Sequence, residues 1–130
     1  MSPVDARTYL LCGYVQPALL TAALGSADPT LATGRQLIVD RLFRQPALRR
    51  DLQRLMLRAG QANTRREREA VEVGWVTLFY GVGVHHCGSA GGAGEVLRAA
   101  RDLAACLRAF LMPEPEVVPG APLIVSPLYG

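Results

Sequence analysis

Lysine is absent from this chain of 130 residues; all fourteen basic side chains are arginine. A nucleotide-binding loop ending in Gly-Lys-Ser/Thr is thereby excluded, and the glycine-rich segment Gly88–Gly94 also lacks the Gly-x-Gly-x-x-Gly spacing. That segment precedes a predicted helix, the place where phosphates bind, but without either motif it reads as a linker. A GC-rich coding sequence accounts for an arginine-only basic set; selection for bidentate anion contacts is the alternative. Cysteine is scarce. Cys12, Cys87 and Cys106 form an odd, scattered set, which argues against a disulfide framework and for a reducing compartment. Long apolar runs are missing too, since a bilayer-spanning helix needs roughly 20 apolar residues. Residues Met1–Arg7 lack the basic-then-apolar pattern of a secretory signal. These absences predict a soluble cytoplasmic protein with no transmembrane segment.

What is present points to a packed core. Half of the residues are apolar and the net charge is a modest +3. A chain of this length makes one domain that buries about two-thirds of its unfolded surface. Val73–Val84 (Val-Gly-Trp-Val-Thr-Leu-Phe-Tyr-Gly-Val-Gly-Val) contains the only tryptophan and no charge. Such a stretch belongs inside, where burial stabilises by about 25 cal/mol per Å². Its β-branched and aromatic residues allow a buried strand, but no second strand is evident to pair with it. An imperfect buried helix is therefore predicted. Gly74, Gly81 and Gly83 each cost it about 1 kcal/mol relative to alanine, to be offset by close helix packing.

The other elements arrange themselves around that stretch. A first helix is expected over Asp5–Leu24, and Pro17 should kink it or end its first half near Gln16. Asp28 should cap a second helix with Pro29 at its first position, running to about Arg44 with Leu37, Ile38 and Leu42 inward. In a third, Ala47–Ala59, a stripe of Leu48, Leu52, Leu55, Met56 and Ala59 opposes Arg49, Arg50, Arg54 and Arg58, and Gly60 stands at the C-terminal cap. Asn63 or Thr64 caps the run that enters the central stretch. The last helix, Ala93–Met112, presents Val96, Leu97, Ala100, Leu103, Ala104, Leu107, Phe110 and Leu111 on one face, with Arg98, Arg101, Asp102 and Arg108 outside it. The predicted fold is all-α, a compact bundle of about five helices over residues 1–112. An extended proline-rich tail follows over 113–130.

Chemistry-bearing residues are few. His85-His86-Cys87 holds metal-ligand types, but adjacent residues diverge and the spacing of a closed zinc site is missing. Cys87 beside His86 is a sequence neighbour, not a placed nucleophile–base pair. No catalytic residue, metal site or cofactor is expected, and the chain reads as non-enzymatic. Arg49–Arg68 could meet phosphates, yet Asp51, Glu67 and Glu69 interleave with its arginines and it holds no aromatic residue for stacking. It reads as a solvated, ion-paired surface, with an arginine-rich nucleic-acid-binding module as a further alternative.

Three segments carry a family likeness. Leu10-Leu11-Cys12-Gly13-Tyr14-Val15, Leu52-x₃-Met56-x₂-Ala59-Gly60 and Trp75-Val76-Thr77-Leu78-Phe79-Tyr80 resemble, in turn, the first helix, the death-motif spacing and the central helix of the B-cell-lymphoma-two (Bcl) family of apoptosis regulators, especially its shorter viral members. Gln61 stands at the motif's acidic position and Asn63 at its last apolar one. The family's Trp-Gly-Arg is matched by Gly74-Trp75-Val76, without the arginine. The resemblance implies a hydrophobic groove that binds an amphipathic helix of another protein. Leu52, Leu55, Met56 and Trp75 are the expected partner-binding residues, with Arg54 and Arg58 at the rim to pair with a carboxylate. The alternative class is a structural or assembly subunit, a virion or multiprotein-complex component that forms a homo-oligomer through apolar surface.

Overall fold

The computed structural model of the chain describes residues 3–87 and 93–114. Among them lie six α-helices and no strand: α1 (Pro3–Leu11), α2 (Pro17–Ala22), α3 (Ala32–Arg44), α4 (Pro46–Gln61), α5 (Arg65–Cys87) and α6 (Ala93–Leu111). The all-α bundle is as predicted, with one helix more than expected because the first divides in two. The division falls earlier than Pro17. Gly13, at φ +91°, takes the left-handed conformation that ends α1, while the Cys12 and Gly13 amides bond back to the Thr8 and Leu10 carbonyls at 3.1 and 3.0 Å. Pro17 does not kink a helix; it begins one, where its missing N–H costs nothing.

Asp28 caps as expected. Its Oδ1 accepts from the Thr30 amide at 2.9 Å and from the Thr30 hydroxyl at 2.7 Å, setting a 3₁₀ turn, Pro29–Leu31, that leads into α3. The inward line of α3 is Arg35, Ile38 and Leu42. Leu37, expected inside, lies one residue off that line and is exposed. Gly60 is not a cap either. It lies within α4, facing Leu11 of α1, and the helix continues to Gln61.

A reciprocal capping box starts α5. The Glu67 carboxylate accepts from the amides of Asn63 and Thr64 at 3.1 and 3.0 Å, and the Thr64 hydroxyl accepts from the Glu67 amide at 3.1 Å. From there Val71, Trp75, Phe79 and Val82 form a fully inward line at helical spacing. Two of the helix's glycines permit close approach. A methyl on Gly74 would lie 2.7 Å from Leu55 Cδ2 of α4, and one on Gly83 would lie 2.5 Å from Val96 Cγ1 of α6. The expectation that the whole stretch goes inside is corrected, because Val73 (63 % exposed), Thr77 and Gly81 face outward.

The most extensive packing is between α5 and α6, and α3 and α4 flank α5. Ala99, Ala100, Leu103, Ala104, Leu107 and Leu111 of α6 are buried, the face that the sequence periodicity marks. Two α6 side chains expected outside instead make interhelical pairs. Asp102 meets Arg35 of α3 at 2.5 Å, and Arg35, only 7 % exposed, also donates to the Asp28 carbonyl at 2.6 Å. Arg108 meets Glu72 of α5 at 2.6 Å. Among the described residues, no helix is long and apolar enough to cross a membrane. The tail beyond Glu114 and the linker at 88–92 lie outside the described residues.

Candidate partner-binding groove

Gln45, in extended conformation, is at once the last boundary of α3 and the first of α4. Two helices that diverge from one residue leave a wedge, and α5 crosses its open side. The result is a depression of about 240 Å³ lined by Arg41 and Gln45 from the α3 end, Leu48 from α4, and Thr77, Leu78, Gly81, Val82 and His85 from α5. Leu48, Leu78 and Val82 give it an apolar floor. Gly81 keeps it open, since no atom of the described residues lies within 4 Å of where its methyl would be.

The rim is polar and one-sided in charge. Arg41 is half-buried, Gln45 and His85 are exposed, and no carboxylate is among the lining residues. Arg41 has no carboxylate partner among the described residues. Its neighbour Asp40 instead accepts from Gln36 at 2.8 Å. The depression opens onto the outer face of α5, where Val73, Thr77 and Gly81 are exposed and Val76, Tyr80 and Val84 partly so. A cation without a partner, beside apolar surface, suits a ligand that is apolar with a single negative charge.

The residues singled out from the sequence fall elsewhere. Leu52, Met56 and Trp75 are completely buried, so they hold α4 and α5 together instead of forming a docking surface. Leu55 is half-buried and fills the space that Gly74 leaves. Arg54 is exposed and pairs with Asp51 at 3.2 Å, within its own helix. Arg58 lines a separate shallow depression with Gln61, Ala62, Arg66, Glu67, Ala70 and Val71. The death-motif-like spacing thus describes the inner face of α4. Sequence reading missed Arg41, Gln45, Leu78 and Gly81. The available signal was Gly81, a helix-weakening residue that no neighbour among the described residues requires.

Other titratable groups serve the fold. Asp28 is held below the usual carboxylate range by its hydrogen bonds to the Thr30 hydroxyl and amide, and Glu67 by the Asn63 and Thr64 amides. Burial pushes the Cys106 thiol up, which makes it a poor nucleophile; its Sγ lies 4.0 Å from Ser26 Oγ. Among the described residues, no three His, Cys, Asp or Glu side chains converge on a metal-sized site. His85 stands at the groove rim, while the side chains of His86 and Cys87 lie outside the described residues. Compared with models of known families, with curated proteins and with solved structures, the chain matches none.

Proposed function

We propose that the protein is a non-enzymatic interaction module that receives an amphipathic helix of another protein in the groove between α3, α4 and α5. The observation that carries this reading is Arg41, a cation with no carboxylate partner among the described residues, beside an apolar floor whose lining holds no negative charge. An incoming helix would lay its apolar stripe on Leu48, Leu78 and Val82 and pair an Asp or Glu with Arg41. The motif likeness to the Bcl family supports the same class of partner, and apoptosis regulation, in the manner of the viral members, is its sharpest version.

The test is titration of labelled amphipathic peptides, death-motif peptides included, against the protein and two variants. Micromolar binding is expected, weakened about tenfold or more by Arg41→Glu and by Gly81→Leu, which fills the depression. Binding unaffected by both changes would place the contact elsewhere.

The outer face of α5 from Val73 to Gly81, which carries no charge and has Val73 as its most exposed large apolar residue, favours a second reading: a structural or assembly subunit in which a second copy packs on that face. A symmetric oligomer in light scattering, dispersed by Val73→Glu and accompanied by no peptide binding, would select it.

A further inference from the structure

On the other side of α4 the fold assembles a surface that no single stretch of sequence contains. The turn after α1 rests on α4. Gln53 Nε2 donates to the Gly13 carbonyl at 3.2 Å, and the Leu57 side chain lies against Gly13, 3.6 Å from where a methyl would sit. The turn is closed by the Tyr14 amide bonding to the Tyr9 carbonyl at 3.0 Å. This brings two tyrosine rings together, edge to face, with centroids 5.8 Å apart and planes at 86°. Both are unusually open, Tyr9 at 46 % and Tyr14 at 59 %, and Leu57 beside them is 45 % exposed.

The flank of this aromatic pair is cationic. Arg50, Arg54 and Arg58 recur every fourth residue along the exposed side of α4, one turn of helix apart, with Leu57 immediately beside them. Against them stands a single carboxylate on that helix, Asp51, whose pair with Arg54 is solvent-exposed and easily exchanged. Arg50 and Arg58 have no carboxylate partner among the described residues. The arginine-rich stretch lacks aromatic residues of its own, and α1 and the turn after it supply them through the fold.

We propose that this α1–α4 face binds single-stranded nucleic acid, as a site separate from the groove between α3, α4 and α5. The arginine row would follow successive phosphates, and the exposed tyrosine rings would take unstacked bases. Open rings beside regularly spaced guanidinium groups are the combination that single strands use, because every base has a stacking face whatever its sequence. An acidic peptide would satisfy the arginines but would leave the rings without a planar partner. A duplex would offer phosphates but no free bases.

Anisotropy of a fluorescein-labelled oligothymidylate of about 15 nucleotides tests this with the full chain. Binding is expected at 50 mM salt and should weaken steeply by 200 mM, with a log–log slope of about −2 for three phosphate contacts at about −0.7 each. Tyr14→Ala and Tyr9→Ala preserve every charge and should each weaken binding about fivefold or more, while Tyr14→Phe should retain it. Arg50→Glu should weaken binding and flatten the salt slope. Both tyrosines are exposed, so circular dichroism of these variants should match the parent. Four outcomes would each overturn the proposal: no binding at 50 mM salt, tyrosine variants that bind as well as the parent, equal affinity for the duplex, or equal affinity for polyglutamate.

Discussion

Helices α5 and α6 pack more extensively on each other than any other pair, yet they use their apolar residues differently. In α6 the apolar positions form one face, nearly all of it buried, and the opposite face is left to Arg98, Arg101 and Ala105. Between Val73 and Val84, α5 carries no charge on any side, and the bundle leaves Val73, Thr77 and Gly81 exposed and Val76, Tyr80 and Val84 only partly covered. An amphipathic helix is matched to a single interface. A helix that is apolar on every side is normally buried on every side. By that measure α5 carries more apolar surface than its neighbours consume, and the excess lies beside the groove.

The strongest way to break this contrast is a truncation to alanine in each helix. Leu107→Ala, at a completely buried position of α6, should destabilise the fold by about 2–5 kcal/mol in denaturant unfolding. Val73→Ala in α5 should fall within about 0.5 kcal/mol of the parent. Equal losses would mean that the outer face of α5 is covered.

Next in size is the polar link from α6 to α3. Asp102→Ala strands the Arg35 guanidinium with only the Asp28 carbonyl for company and should cost about 2–3 kcal/mol, below the full buried-pair figure because the Asp102 side chain remains 17 % exposed. Glu69→Ala, which removes the exposed Arg65–Glu69 pair near the start of α5, should cost only about 0.3–0.5 kcal/mol. Urea midpoints would separate the two.

The glycines of α5 divide the helix against itself. Gly83→Ala forces a methyl onto Val96 and Ile38 and should destabilise by about 1–3 kcal/mol. Gly81→Ala meets nothing and should stabilise by about 0.5–1 kcal/mol, while narrowing the groove. Opposite signs at positions two residues apart would show that one glycine serves packing and the other serves open space.

The smallest effect is the pH dependence of the cap that begins α5. The Glu67 carboxylate is held below its ordinary range in the folded chain, so the unfolded chain takes up that proton at higher pH. The stability it contributes is therefore complete above the usual carboxylate range, near pH 4, and is lost as pH falls through the lowered folded value. Between pH 5 and pH 3 the Tm of the parent should fall more steeply than that of Glu67→Gln, which keeps an accepting oxygen but cannot titrate.

Much of the fold was legible because local rules were followed. The periodicity of α6, the Asp28 cap and a cap at Asn63 or Thr64 are short-range patterns with direct physical causes, although the reciprocal bond from Glu67 was not read. The break after α1 was harder to place, since both Gly13 and Pro17 can end a helix and only the tertiary seat on Gln53 and Leu57 selects Gly13. Arg35 and Asp102 are 67 residues apart. Nothing local marks either as half of a buried pair. The groove was illegible for the same reason, because its wall and floor come from three helices. The α4 stripe was read correctly as apolar, but an apolar stripe looks the same whether it faces a core or a partner.

Trp75 gives this architecture an optical handle. It is the only indole in the chain, is completely buried where α5 lies against the bundle, and its Nε1 has no hydrogen-bond acceptor among the described residues. Emission from such a ring should lie well to the blue of free tryptophan and shift red when water reaches it. Because the indole is sealed at the centre, docking at either surface should leave its colour unchanged, while separation of the helices should not. A single emission spectrum can therefore distinguish a partner that settles on the closed bundle from one that pries it apart.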